Sequence, residues 1–278
     1  MAEDINVADP RLYRDDAWRP HFARLRQDDP VHRHADSPYG PYWSVTRYAD
    51  IMTVELDPGT YSSASELGGI QIADQAKGSE LPNFIRMDPP RHTTQRKTVA
   101  PIVAPSNLAN MASTIRERTA AVLDGLPRNE TFDWVDRVST ELTAMMLATL
   151  FDFPWADRRK LTHWSDVAIA NVEDADAVVK SEAERMAELT QMAEVMAALW
   201  KERAALPPRF DLISMMAHAE ATQNMPLREF IGTFGLLIVG GNDTTRNSMT
   251  GGLIAMVENP GEIAKVQADA ALLPSLVS

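Results

Sequence analysis

No cysteine occurs anywhere in the 278 residues. That absence excludes disulfides, thiolate nucleophiles, zinc-thiolate sites and iron-sulfur ligation within this chain. A surplus of basic charge is missing as well. The 39 Asp and Glu outnumber the 27 Lys and Arg, and the formal net charge of -12 argues against a general nucleic-acid binder. Long apolar runs are also lacking: Phe230 to Val239 is interrupted by Thr233 and two glycines, far short of the roughly 20 residues a membrane span needs. The start, Met1-Ala2-Glu3-Asp4-Ile5, has neither a basic nor an apolar segment, so no secretory signal is read and a cytoplasmic location is expected. No glycine-rich nucleotide motif follows a strand, which assigns any reductase function to another chain or to residues beyond 278.

What is present is a globular composition, with 45% hydrophobic and 24% charged residues. The length suits one large domain or two ordinary ones, and the chain is read as part of a single domain. A short helix is expected from Pro20 to Asp28. A small hairpin follows, with His32 to His34 and Tyr42 to Thr46 as strands around the turn residues Ser37-Pro38-Tyr39-Gly40-Pro41, giving a β-containing region at about 30–62. Residues 62–85 show no sustained period and read as a long ordered loop, a kind of segment that is usually functional or mobile. From 88 to 278 the signals are helical. Leu108, Met111, Ile115, Val122 and Leu126 form one stripe at 3.6-residue spacing, and Met186, Leu189, Met192, Met196, Leu199 and Trp200 form another.

The last long helix is predicted between Pro226 and the stop at Asn259-Pro260, about 33 residues or roughly 50 Å. Its first half is apolar on nearly all sides and should run through the core. Gly240-Gly241-Asn242-Asp243-Thr244-Thr245 stands in its middle, although each interior glycine costs about 1 kcal/mol of helix propensity. Residues without side chains admit a flat ligand or another backbone. Thr244 can hydrogen-bond back to the carbonyl of Gly240, making a polar notch in an apolar wall. Asp243 beside it needs a partner or a proton-transfer role. The plainer reading of the same residues is a close helix crossing at a kink.

A second constellation runs from Arg86 to Lys97. Asp88 suits an N-cap and Pro89 a first helical position, which places His92 and Arg96 four apart on one face. Arg86, Arg91, Arg96 and Lys97 against Asp88 give a local charge of +3, an anion site by charge, or else a solvated basic face. His21, His32, His34, His163 and His218 have no motif around them, so no metal ligand is assigned.

Asp88-Pro89-Pro90-Arg91-His92-Thr93 with Arg96 resembles the C-helix of the cytochrome P-450 monooxygenases, and Gly240-Gly241-Asn242-Asp243-Thr244-Thr245 resembles their oxygen-binding I-helix. Arg86 to Pro105, and Glu130 to Val138 through Phe151-Asp152-Phe153-Pro154, are similar to the bacterial soluble branch that hydroxylates alkanes and medium-chain fatty acids at the terminal carbon. The resemblance implies a mainly α fold with a small β subdomain and heme b (iron protoporphyrin IX) as cofactor. His92 and Arg96 would hold the haem propionates, and Gly240 and Gly241 would let the helix lie against the haem face. Thr244 would hold the dioxygen while Asp243 relays protons. Its partners would be an apolar small molecule, O2, a ferredoxin and an NAD(P)H-dependent ferredoxin reductase, with no nucleic acid and no membrane span. The loop at 62–85 and the apolar residues before Gly240 would line the substrate pocket.

The chain departs from that family in two respects. The cysteine that ligates the iron is absent, as is the Glu-x-x-Arg helix. The expectation is therefore a C-terminally truncated fragment, inactive by itself, of an active full-length enzyme. The alternative function is a non-enzymatic helical module that binds a hydrophobic ligand.

Overall fold

The computed structural model describes residues 5–72 and 81–277. The chain divides into two compact units, Met1–Thr94 and Gln95–Ser278. The first unit holds α1 (Pro10–Arg14), α2 (Trp18–Asp28), the strands β1 (Val31–His34) and β2 (Tyr42–Val45), and α3 (Tyr48–Glu55). The strands pair antiparallel from Val31 opposite Val45 to His34 opposite Tyr42, the hairpin expected from the turn chemistry between them. The His34 ring stacks on Tyr42 and its Nε2 lies 2.7 Å from Ser44 Oγ. His34 is thus a structural residue of this hairpin. Arg47 Nε donates to Arg26 O at 2.6 Å, which ties the start of α3 to the end of α2.

Within the long loop, short 3-10 turns form at Ser65–Leu67 and Phe84–Arg86, and residues 73–80 of the expected 62–85 segment lie outside the described residues. Helix α4 (Arg91–Val99) starts later than its motif suggests. The Asp88 carboxylate accepts from Ser62 Oγ at 2.5 Å and from Ser63 N at 3.0 Å, so it closes the loop instead of capping the helix. Those two hydrogen bonds, the Ser62 one foremost, also hold the Asp88 carboxyl below its usual range.

The second unit carries α5 (Pro105–Asp124), α6 (Glu141–Phe151), α7 (Arg159–Ile169), α8 (Glu182–Ala204), α9 (Leu212–His218), α10 (Leu227–Glu258), α11 (Pro260–Ala268) and α12 (Leu273–Val277). A π-helical segment, Val135–Thr140, leads directly into α6. Ser181 caps α8 by accepting from Glu184 N, and Asp211 caps α9 by accepting from Ser214 N. α8 buries Leu189, Met192 and Met196 of its predicted stripe. The α5 stripe fares differently. No residue of α5 is fully buried, and Leu108, Ile115 and Leu123 line an open depression of about 560 Å³. Periodicity marks an apolar face but does not supply its cover.

The core sits where α10 passes α6, α7 and α8. Phe234 and Ile238 are fully enclosed there, with Trp200, Phe151 and Phe230 rings within 6.2 Å of the Phe234 ring. Among the described residues no helix is long and apolar enough to cross a membrane.

Candidate active site

α10 runs unbroken for 32 residues through both glycine pairs, Gly240-Gly241 and Gly251-Gly252. Its apolar first turns supply the burial that offsets the glycines' low helix propensity. The adjacent residues Gly240 and Gly241 meet opposite surroundings. A Cβ on Gly241 would lie 2.6 Å from Leu147 Cδ2 of α6, so the missing side chain there lets two helices approach. A Cβ on Gly240 would meet nothing within 4 Å. Gly240 and Thr244, one turn apart, are both exposed, and together they leave a bare strip of helix with a single hydroxyl on it.

Thr244 Oγ1 donates to Gly240 O at 3.0 Å, the back-bond its spacing suggests. Ser248 and Thr250 do the same to Thr244 O and Arg246 O, at 2.8 and 3.0 Å. Asp243, next to Thr244, has both carboxylate oxygens engaged. Its Oδ1 accepts from Arg246 Nη2 at 2.9 Å and its Oδ2 from Asn247 Nδ2 at 3.3 Å, with its side chain 22% exposed. Asp243 and Thr244 are therefore neighbours in sequence without sharing a hydrogen bond. Arg246 Nη2 also donates to Asp166 Oδ1 of α7 at 2.8 Å. Burial pulls the Arg246 guanidinium down, but the bonds to Asp166 and Asp243 outweigh it and hold the group above its ordinary value.

The packed side of α10 is polar as well. Asn242 is fully buried and its Oδ1 accepts from Thr143 Oγ1 of α6 at 2.8 Å, while Thr250 Oγ1 lies 3.0 Å from Ser139 Oγ. Asn242 Nδ2 and, on α7, Thr162 Oγ1 and Ser165 Oγ have no hydrogen-bond partner among the described residues. Sequence reasoning missed Arg246, Asp166, Asn242 and Thr143. Only Arg246 had a local signal, an acid-base pair with Asp243 at i,i+3.

His92 and Arg96 stand one turn apart on α4, His92 half-buried and Arg96 exposed. Arg96 makes no ion pair among the described residues. Between them Gln95 is buried, and its Nε2 donates to Glu229 Oε1 at 2.6 Å, fastening α4 to the first turn of α10. Among the described residues no three His, Cys, Asp or Glu side chains gather as a metal site.

No family model matches the chain. It is similar to linalool 8-monooxygenase from Pseudomonas putida, with 32% identity over an alignment of 270 positions that covers 94% of this chain and 66% of that enzyme. Among solved structures it is similar to cytochrome P-450 153 from Novosphingobium aromaticivorans, with a TM-score of 0.87 and 44% identity over 98% of this chain and 68% of that one. CYP153D17 from Sphingomonas sp. PAMC 26605 gives a TM-score of 0.86 and 48% identity over the same shares. The chain thus spans about two thirds of the length of these relatives.

Proposed function

Because the chain belongs to the cytochrome P-450 family, we propose that it forms part of a haem-thiolate monooxygenase hydroxylating medium-chain alkanes or fatty acids at the terminal carbon. Electrons come from NAD(P)H through a ferredoxin reductase and a ferredoxin in the cytoplasm. The observation that carries the reading is the bare strip of α10, with Gly240 open, Thr244 on the same face and the acid Asp243 beside it. The similarity to an enzyme named for linalool supports an apolar substrate, which a hydrophobic pocket selects by transfer from water.

The residues present fit a haem in two ways. A helix face without side chains at Gly240 admits a flat group, and Arg96, which makes no ion pair among the described residues, presents a fork of N–H donors suited to a propionate. His92, one turn before it, adds a hydrogen-bond donor. When bound, haem supplies the O2-activating iron chemistry. The chain's own part is proton handling and orientation. Releasing its bond to Gly240 O frees the Thr244 hydroxyl to donate outward from the bare strip. Asp243 takes protons from solvent and passes them on as a general acid. A thiolate is absent from the composition, so in this reading the iron ligand comes from residues outside these 278, and the 278 alone are inactive.

Replacing Thr244 by Ala in the complete holoenzyme tests the reading. Product formed per NAD(P)H consumed should fall about tenfold or more, with apolar-ligand affinity kept. Unchanged coupling would remove Thr244 from proton handling, whereas a complete protein that binds apolar ligands and turns none of them over would belong to the class of non-enzymatic ligand-binding modules. The 278 residues mixed with haem, reductant and carbon monoxide should give no thiolate-type Soret band.

A further inference from the structure

Arg246 has a side chain only 14% exposed, and one nitrogen of it serves two carboxylates on two helices, Asp166 Oδ1 on α7 at 2.8 Å and Asp243 Oδ1 on α10 at 2.9 Å. One cation between two acids leaves a surplus of one negative charge. If Asp243 were its only partner, every protonation of Asp243 would strand a largely enclosed guanidinium, which is strongly unfavourable. Asp166 removes that obstacle by keeping Arg246 paired.

We infer that Arg246 and Asp166 form a positioning pair that lets Asp243 gain and lose a proton without leaving a buried charge uncompensated. The inference rests on the monooxygenase reading and deepens it. The proton arrives from solvent on Asp243 Oδ2, which among the described residues accepts only from Asn247 Nδ2 at 3.3 Å, and Asp243 returns to the anion when the proton moves on. Arg246 keeps its own protons throughout. Asp166 never touches substrate, and its role is to hold Arg246 neutralised while Asp243 cycles.

The test uses the complete holoenzyme. Asp166→Asn should lower product per electron pair by about tenfold, less than loss of a proton donor itself, and enlarge the solvent deuterium isotope effect on turnover while KM stays unchanged. Asp166→Glu should restore most of the coupling. Arg246→Gln, which removes the charge that links the two acids, should repeat the loss and serves as the second probe if Asp166→Asn folds poorly. Urea unfolding gives a readout free of turnover. Asp166→Asn and Asp243→Asn should each shift the midpoint slightly, because Arg246 keeps one partner, while the double variant should shift it by more than the sum. Additive midpoints, or normal coupling in Asp166→Asn while Thr244→Ala uncouples, would overturn the positioning pair alone. Normal coupling in Thr244→Ala would instead remove Thr244 from proton handling, and a complete holoenzyme that forms no product from any apolar substrate would overturn the monooxygenase reading beneath it.

Discussion

From Leu227 to Ile238, α10 encloses Phe230, Ile231, Phe234 and Ile238 among α6, α7 and α8, whereas from Gly240 to Glu258 the same helix leaves Thr244, Ser248, Ile254 and Val257 exposed. Apolarity does not separate the two stretches, since Ile254 and Val257 are as apolar as Ile231 yet 54% and 72% exposed. What separates them is cover. The first stretch has aromatic neighbours on several sides, Trp200, Phe151 and Phe230, while the second is held on one side by polar contacts, Asn242 with Thr143 and Thr250 with Ser139. Burial in the first half gives stability, and the one-sided grip on the second leaves its other side uncovered among the described residues.

That contrast can be broken by substitution. Phe234→Ala should cost about 3–5 kcal/mol in urea unfolding, since the ring is fully enclosed and its cavity is walled by other aromatics. A loss below about 1 kcal/mol would show that the first half is not the anchor. The glycine pair at the boundary gives a sharper, smaller test with opposite signs. Gly241→Ala should destabilise by about 1 kcal/mol net, because Leu147 must repack, while Gly240→Ala should stabilise by up to about 1 kcal/mol through helix propensity. Equal shifts in one direction would erase the distinction between the two faces. Val257→Ser, deep in the exposed stretch, should move stability by less than about 0.5 kcal/mol.

Much of this architecture was legible in advance, and the reasons are local. Pro226 and Asn259-Pro260 bracket α10 to within a residue or two, and turn residues between aromatic and β-branched runs mark the hairpin. The Thr244 back-bond follows from four-residue spacing alone. Other features depended on what the chain brings together. Asp88 has the chemistry of a cap, but Ser62 and Ser63 claim its carboxylate from 26 and 25 residues away. The α5 stripe has the right period without a covering surface. Asp166 and Arg246 lie 80 residues apart, and no single-sequence pattern pairs one surface-type acid with one arginine at that distance.

The π-helical stretch at Val135–Thr140 has a consequence for evolution as well as for engineering. Such a stretch carries one residue more than the α-turn it replaces. Deleting a single residue there would close it into an ordinary α-turn and leave the rotational phase of α6 almost unchanged. Thr143 would keep Asn242, and Glu141 would keep both Arg158 and Arg159. A one-codon deletion in this short stretch should therefore be better tolerated than one inside α6 itself, which would rotate the rest of that helix by about 100° about its axis.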